Sequence, residues 1–221
     1  MQRLRVHLRG RTRLVETSVK VGDGVYCITC PAAADALIDE QEFARDERLP
    51  YWADLWPSAI ALARSISMRN LADVRAIELG CGVGLPSIVA LTRGARVTST
   101  DHYAAALDSA RYNARVNLGR EPETRLLDWH APKVVEAGLF DLVLAADVLY
   151  EARNIPALAA LIPALLAPGG EVLIADPRRK DASVFLERMR ESGFDSAMEE
   201  CLVVSEGQEV KVMVHRLWRH S

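Results

Sequence analysis

The chain has 221 residues, half of them hydrophobic and 26% charged, with a formal net charge of −3. A chain of this size buries roughly 70% of its unfolded surface without staples, and its composition excludes disorder, collagen or coiled coil as a description of the whole. The mild acidity gives no sign of a nucleic-acid binder, and no apolar run reaches the roughly 20 residues of a membrane helix.

From the N-terminus, Arg3, Arg5, Arg9, Arg11 and Arg13 precede the first acid, Glu16, which is the composition of a transit peptide. However, Leu4, Val6 and Leu8 alternate with Arg3, Arg5, His7 and Arg9 at strand period. The expectation is an exposed strand in a cytoplasmic protein. A second strand is predicted over Val25 to Cys30. It contains Cys27 and Cys30 at CxxC spacing, but no second pair follows to complete a zinc site. They read as structural thiols in a reducing compartment, and no metal is expected. The stretch from Asp39 to Asp54 holds six acids against two arginines, an acidic lip or a solvated loop. The cluster Pro50-Tyr-Trp-Ala-Asp-Leu-Trp-Pro57 follows.

Beyond residue 70 strands and helices alternate. Strands are predicted at Arg75–Leu79, Ala95–Thr100, Arg125–Leu127, Phe140–Ala146 and Glu171–Ala175, with a turn at Pro168-Gly-Gly170. Helices are predicted at Leu85–Thr92, Ala104–Asn117, from a cap at Asn154 towards Leu166, and at Ala182–Glu191. Two alternating strands, Ala197–Ser205 and Val210–Trp218, close the chain through Glu206-Gly207. Five β–α units and a terminal hairpin imply an α/β fold with a doubly wound, mostly parallel sheet. Asp101, Asp128, Asp147 and Asp176 all fall at strand carboxyl ends, the rim where ligands bind in such sheets.

Glu78-Leu-Gly-Cys-Gly-Val-Gly84 follows the first core strand and opens a helix. Gly80, Gly82 and Gly84 let the backbone approach a ligand, and the helix start offers free N–H groups. The dinucleotide fingerprint needs a glycine at position 85, which is Leu85. The carboxylate of Glu78 repels a pyrophosphate and suits an amino group. Asp101 can accept from ribose hydroxyls. Trp129 can wall a purine, and Asp128 can accept from its exocyclic amine. Together these describe S-adenosylmethionine.

Glu78 to Gly84 with Asp101 resembles the glycine motif and acidic partner of seven-stranded, Rossmann-like class I methyltransferases. Pro50-Tyr-Trp-Ala-x-x-Trp-Pro57, Leu127-Asp-Trp129 and Asp147-Val-Leu-Tyr150 resemble the family 16 methyltransferases, many of which act on protein lysines. With Ala175-Asp-Pro-Arg178, the pattern is most similar to the branch that methylates the electron transfer flavoprotein beta subunit. The resemblance covers roughly residues 50 to 195. It implies a methyltransferase domain over 50–221, preceded by a β appendage and acidic segment over 1–49. It also implies Trp56 over the cofactor and an acceptor site lined by Asp147 and Tyr150. Asp147 would orient the amine. Tyr150 would accept a hydrogen bond, take the proton through water, or only wall the pocket. That branch usually carries a glycine after the Asp-Pro pair, where this chain has Arg178. Arg178-Arg179-Lys180 reads as a solvated basic loop. The expected activity is protein-lysine N-methylation, on the flavoprotein subunit or a translation protein. The rivals are methylation of a small nicotinamide-like amine and a non-catalytic cofactor-binding module.

Overall fold

The computed structural model describes residues 12–38, 49–132, 139–205 and 207–219. The predicted strand at Arg3 to Arg9, and the acids of the acidic lip other than Asp54, lie outside them. In chain order the elements are β1 (Leu14–Val21), β2 (Gly24–Pro31), α1 (Pro57–Ser67), β3 (Arg75–Leu79), α2 (Leu85–Thr92), β4 (Arg96–Asp101), α3 (Ala104–Leu118) and β5 (Glu123–Leu126). Then come β6 (Phe140–Ala146), α4 (Asn154–Leu165), β7 (Leu166–Asp176), α5 (Ala182–Glu191), β8 (Phe194–Ser205) and β9 (Gln208–Arg219), with short 3-10 turns at Asp35–Leu37 and Tyr51–Ala53.

The seven-stranded sheet has the order β5-β4-β3-β6-β7-β9-β8. The first five strands of that order are parallel, and β9 runs antiparallel to both β7 and β8. Chain order reverses at β3, between β4 and β6, which opens a crevice at the carboxyl ends. Strand alternation fixes two cores. Ala76, Leu142, Leu144, Leu173 and Ala175 pack against α1 and α2. Ile77, Val143, Ala145, Val172 and Ile174 pack against α4 and α5. With both faces covered, the central strands carry near-continuous apolar runs.

The β1–β2 hairpin shares the first of these cores through Val19, Val21, Tyr26 and Ile28. Its free edge docks on α3. Asn113 and Asn117, one helical turn apart, present their amides to the backbone of Cys27 and Thr29. Asn113 Oδ1 accepts from the Thr29 N–H at 2.9 Å, and its Nδ2 donates to the Thr29 carbonyl at 3.1 Å. Asn117 repeats the pattern on Cys27 at 2.8 Å in each direction. The two amides serve β2 as a neighbouring strand would.

Three local expectations change. Asn154 does not cap α4: Arg153 holds the cap position without a side-chain bond, and Asn154 is the first helical residue. Pro168-Gly-Gly170 is not a free turn but part of β7, with Gly169 at φ +75° and a register shift against β6. Arg179 of the expected solvated loop is engaged by an acid, as described below.

Candidate active site

A cleft of about 990 Å³, counted to its open mouth, lies over the carboxyl ends of β3, β4 and β6. The glycine loop forms its floor. Gly80 and Gly82 have φ of +70° and +50°, values that L side chains rarely adopt. A Cβ on Gly80 would stand 3.2 Å from the Trp129 ring, and one on Gly82 would stand 3.2 Å from the Trp52 carbonyl. Gly84 has another task. It caps α2, and a Cβ there would meet Ala110 of α3 at 2.8 Å. It spaces two helices and does not line the cleft.

Asp101 ends β4 and is buried. Its Oδ2 accepts from the Gly82 N–H at 3.0 Å and its Oδ1 from the Tyr103 N–H at 2.9 Å. Burial pushes its carboxyl up to about 6. It therefore holds the glycine loop in shape from the adjacent strand, with lone pairs left for a ligand. Glu78, on β3, is also buried, and its Oε2 accepts from both the N–H and the hydroxyl of Ser87 on α2. Burial pushes Glu78 up to about 8, the Ser87 hydrogen bonds pull the other way, and the charge of Asp101 adds to the rise. Two carboxyls raised by burial in one cleft are a recurring mark of a functional site.

Asp128 and Trp129 lie just past β5, on the cleft wall. Asp128 Oδ1 accepts from the His130 N–H at 3.0 Å, which fixes the turn. His130 Nε2 then meets Asn154 Oδ1 at 3.1 Å. Trp129 Nε1 is buried with no hydrogen-bond partner among the described residues.

Trp56 is held extended by the proline that follows it, with ψ 145°, and donates its Nε1–H to the Tyr51 carbonyl at 2.7 Å. Tyr51 meets Trp56 and Tyr150 edge-on, with centroids 6.0 and 5.1 Å apart. These three rings make one wall of the mouth. Tyr150 is 37% exposed. Burial of its hydroxyl and the charges of Glu151 and Asp101 hold the phenol well above its ordinary value. It stays protonated at neutral pH and stands at the cleft with its hydroxyl able to donate or accept a hydrogen bond.

Asp147 follows β6 with φ +53°, in the left-handed region. Its N–H donates to the Ala175 carbonyl at 2.8 Å, so β7 fixes it. Asp147 lines the cleft, and its carboxylate is gripped by Arg179, Nε to Oδ1 at 2.9 Å and Nη2 to Oδ2 at 3.1 Å. The Arg179 N–H in turn donates to Asp176 Oδ1 at 2.7 Å. Arg178 has φ +66°. A left-handed backbone is the physical reason for a glycine at that position.

The sequence pattern assigns no site role to Tyr51, Trp52, His102, Tyr103, His130 or Asn154, all of which line the cleft. Tyr51 and Trp52 stand in the aromatic-proline cluster and could have been read there. The others carry no pattern of their own. The model of a family described as lysine methyltransferase matches residues 43–192. The chain belongs to the lysine methyltransferase family.

Within that family it is similar to mouse (Mus musculus) EEF1A lysine methyltransferase 3, 31% identical over 148 residues, covering 64% of this chain and 63% of the relative. The electron transfer flavoprotein beta subunit lysine methyltransferase of Xenopus laevis is 31% identical over 140 residues, covering 61% of this chain and 55% of the relative. The chain thus spans less than two thirds of these curated relatives. Among solved structures, magnesium protoporphyrin IX methyltransferase from Synechocystis PCC 6803 with bound SAM shares the fold, with a TM-score of 0.55 and 21% identity over 72% of this chain and 76% of that one. No helix among the described residues is long and apolar enough to cross a membrane, and no group of three or more His, Cys, Asp or Glu among them is arranged to hold a metal ion.

Proposed function

We propose that this lysine methyltransferase family member transfers a methyl group from S-adenosylmethionine to a lysine side chain of a partner protein. The observation that carries the reading is one cleft lined by the glycine loop and Asp101 together with Asp147 and Tyr150. The residues suit the cofactor. Gly80 leaves open the space a Cβ would take beside Trp129, and Trp129 Nε1 is a buried donor awaiting an acceptor. Glu78, Gly80 and Gly82 would hold the amino acid end, Asp101 the ribose, Asp128 and Trp129 the adenine, and Trp56 would close the side.

Bound there, S-adenosylmethionine supplies an already activated methyl group. The chain's own work is then positioning and exclusion of water. A lysine arrives charged, since its free pKa is about 10.4, and Asp147 offers the ammonium a carboxylate. The aromatic wall of Tyr51, Trp56 and Tyr150 favours the neutral amine that must attack. The Tyr150 hydroxyl, protonated, orients that amine by hydrogen bonding.

The names of the two relatives offer two acceptors, EEF1A and the electron transfer flavoprotein beta subunit. The four free thiols suit a reducing compartment such as the cytoplasm. Incubating the protein with labelled S-adenosylmethionine and each candidate, then locating the label by mass spectrometry, tests the reading. Methyl-lysine on a protein is the expected result. Label only on nicotinamide or another small amine would overturn it in favour of a small-molecule enzyme.

A further inference from the structure

Taking the cleft as the lysine-methylating site described above, we propose that Arg179 is an internal stand-in for the acceptor's cation, occupying Asp147 until a substrate ammonium replaces it. The two partners of this ion pair are unequal. The Asp147 side chain is 7% exposed and that of Arg179 is 40% exposed. Asp147 is fixed without Arg179, by its left-handed backbone and its hydrogen bond to β7. Arg179 is tied by its backbone N–H to Asp176, so the loop holds its place while the side chain is released.

A carboxylate this buried is costly without a cation beside it. In the resting protein the guanidinium meets that need with two hydrogen bonds. Asp147 also lines the cleft, where an acceptor's ammonium would meet it, and Arg179 does not. Exchange of one cation for another keeps the site's charge constant. It also selects against weak encounters: an acceptor must displace a bidentate partner before it can be oriented.

The test uses n-butylammonium as a mimic of the lysine side chain, titrated into protein saturated with S-adenosylhomocysteine and followed by tryptophan fluorescence. Arg179→Met should tighten butylammonium binding about tenfold or more, and Arg179→Lys, which keeps a cation, should not. Adding Asp147→Asn to Arg179→Met should abolish the gain. In the wild-type protein, butylammonium should shift the Nε–H resonance of Arg179 away from its hydrogen-bonded position. If Arg179→Met binds S-adenosylhomocysteine as the wild type does but takes butylammonium no more tightly, Arg179 is a brace and the proposal falls. If no variant binds S-adenosylhomocysteine, the reading of the cleft fails first and takes this proposal with it.

Discussion

Glu78 and Asp101 give the cleft its dependence on pH. The Glu78 carboxyl rises from an ordinary 4.5 to about 8 in the fold, chiefly because burial disfavours its charge. Between those values the folded protein holds a proton that the unfolded chain has released. The stability tied to Glu78 is therefore complete below about 4.5 and is lost as pH rises through about 8. Asp101, raised to about 6, adds the same trend at lower pH. The melting temperature of the ligand-free protein should therefore fall between pH 5 and 8, and Glu78→Gln should flatten that fall, as thermal scans across the range will show. A variant with the wild-type slope would contradict the assignment. Arg178 allows a second test. A side chain in the left-handed region costs about 1–2 kcal/mol, partly offset by the extra freedom a glycine has when unfolded. Arg178→Gly should raise stability by about 0.5–1 kcal/mol in denaturant titrations.

The elements were legible to different degrees. The strands β3, β4, β6 and β7 and the helices α2, α3 and α5 could be read because each carries a local signal: an apolar run, a proline in the first turn, a glycine at the end. α1 was missed, because Pro57 and the aromatics before it read as an extended cluster, whereas Pro57 starts the helix. β1 was missed because only Val19 and Val21 of its eight residues are buried. Its hairpin depends on α3 instead. Asn113 makes three buried hydrogen bonds, two with Thr29 and one to the Val83 carbonyl. Leaving such groups unpaired costs about 1–3 kcal/mol each. Asn113→Ala should destabilise the protein by about 3 kcal/mol and speed amide hydrogen exchange at Thr29, with Asn117→Ala acting less because it is only partly buried. Unchanged exchange in both variants would show that apolar packing alone holds the hairpin.

At the scale of the molecule, the cleft is assembled from loops that the sheet delivers to one rim. A ligand bound only by the folded state stabilises it by RT ln(1 + [L]/Kd), about 2.7 kcal/mol at a hundredfold excess over Kd. S-adenosylhomocysteine should raise the melting temperature progressively with concentration. If Asp101 holds the ribose as proposed, Asp101→Ala should reduce that rise, and it also releases Gly82; an undiminished rise would place the ribose elsewhere. The sheet, the glycine loop and the row of strand-end acids could be read from the chain alone, because strand period, left-handed glycines and strand ends are properties of neighbouring residues. The sequence could not decide which acids are free. Arg179 reaches Asp147 across 32 residues, and Asn113 reaches Thr29 across 84. No periodicity encodes such pairs. They exist because β6 and β7 lie side by side and α3 lies over the hairpin, and only the packed fold brings those side chains within hydrogen-bonding distance.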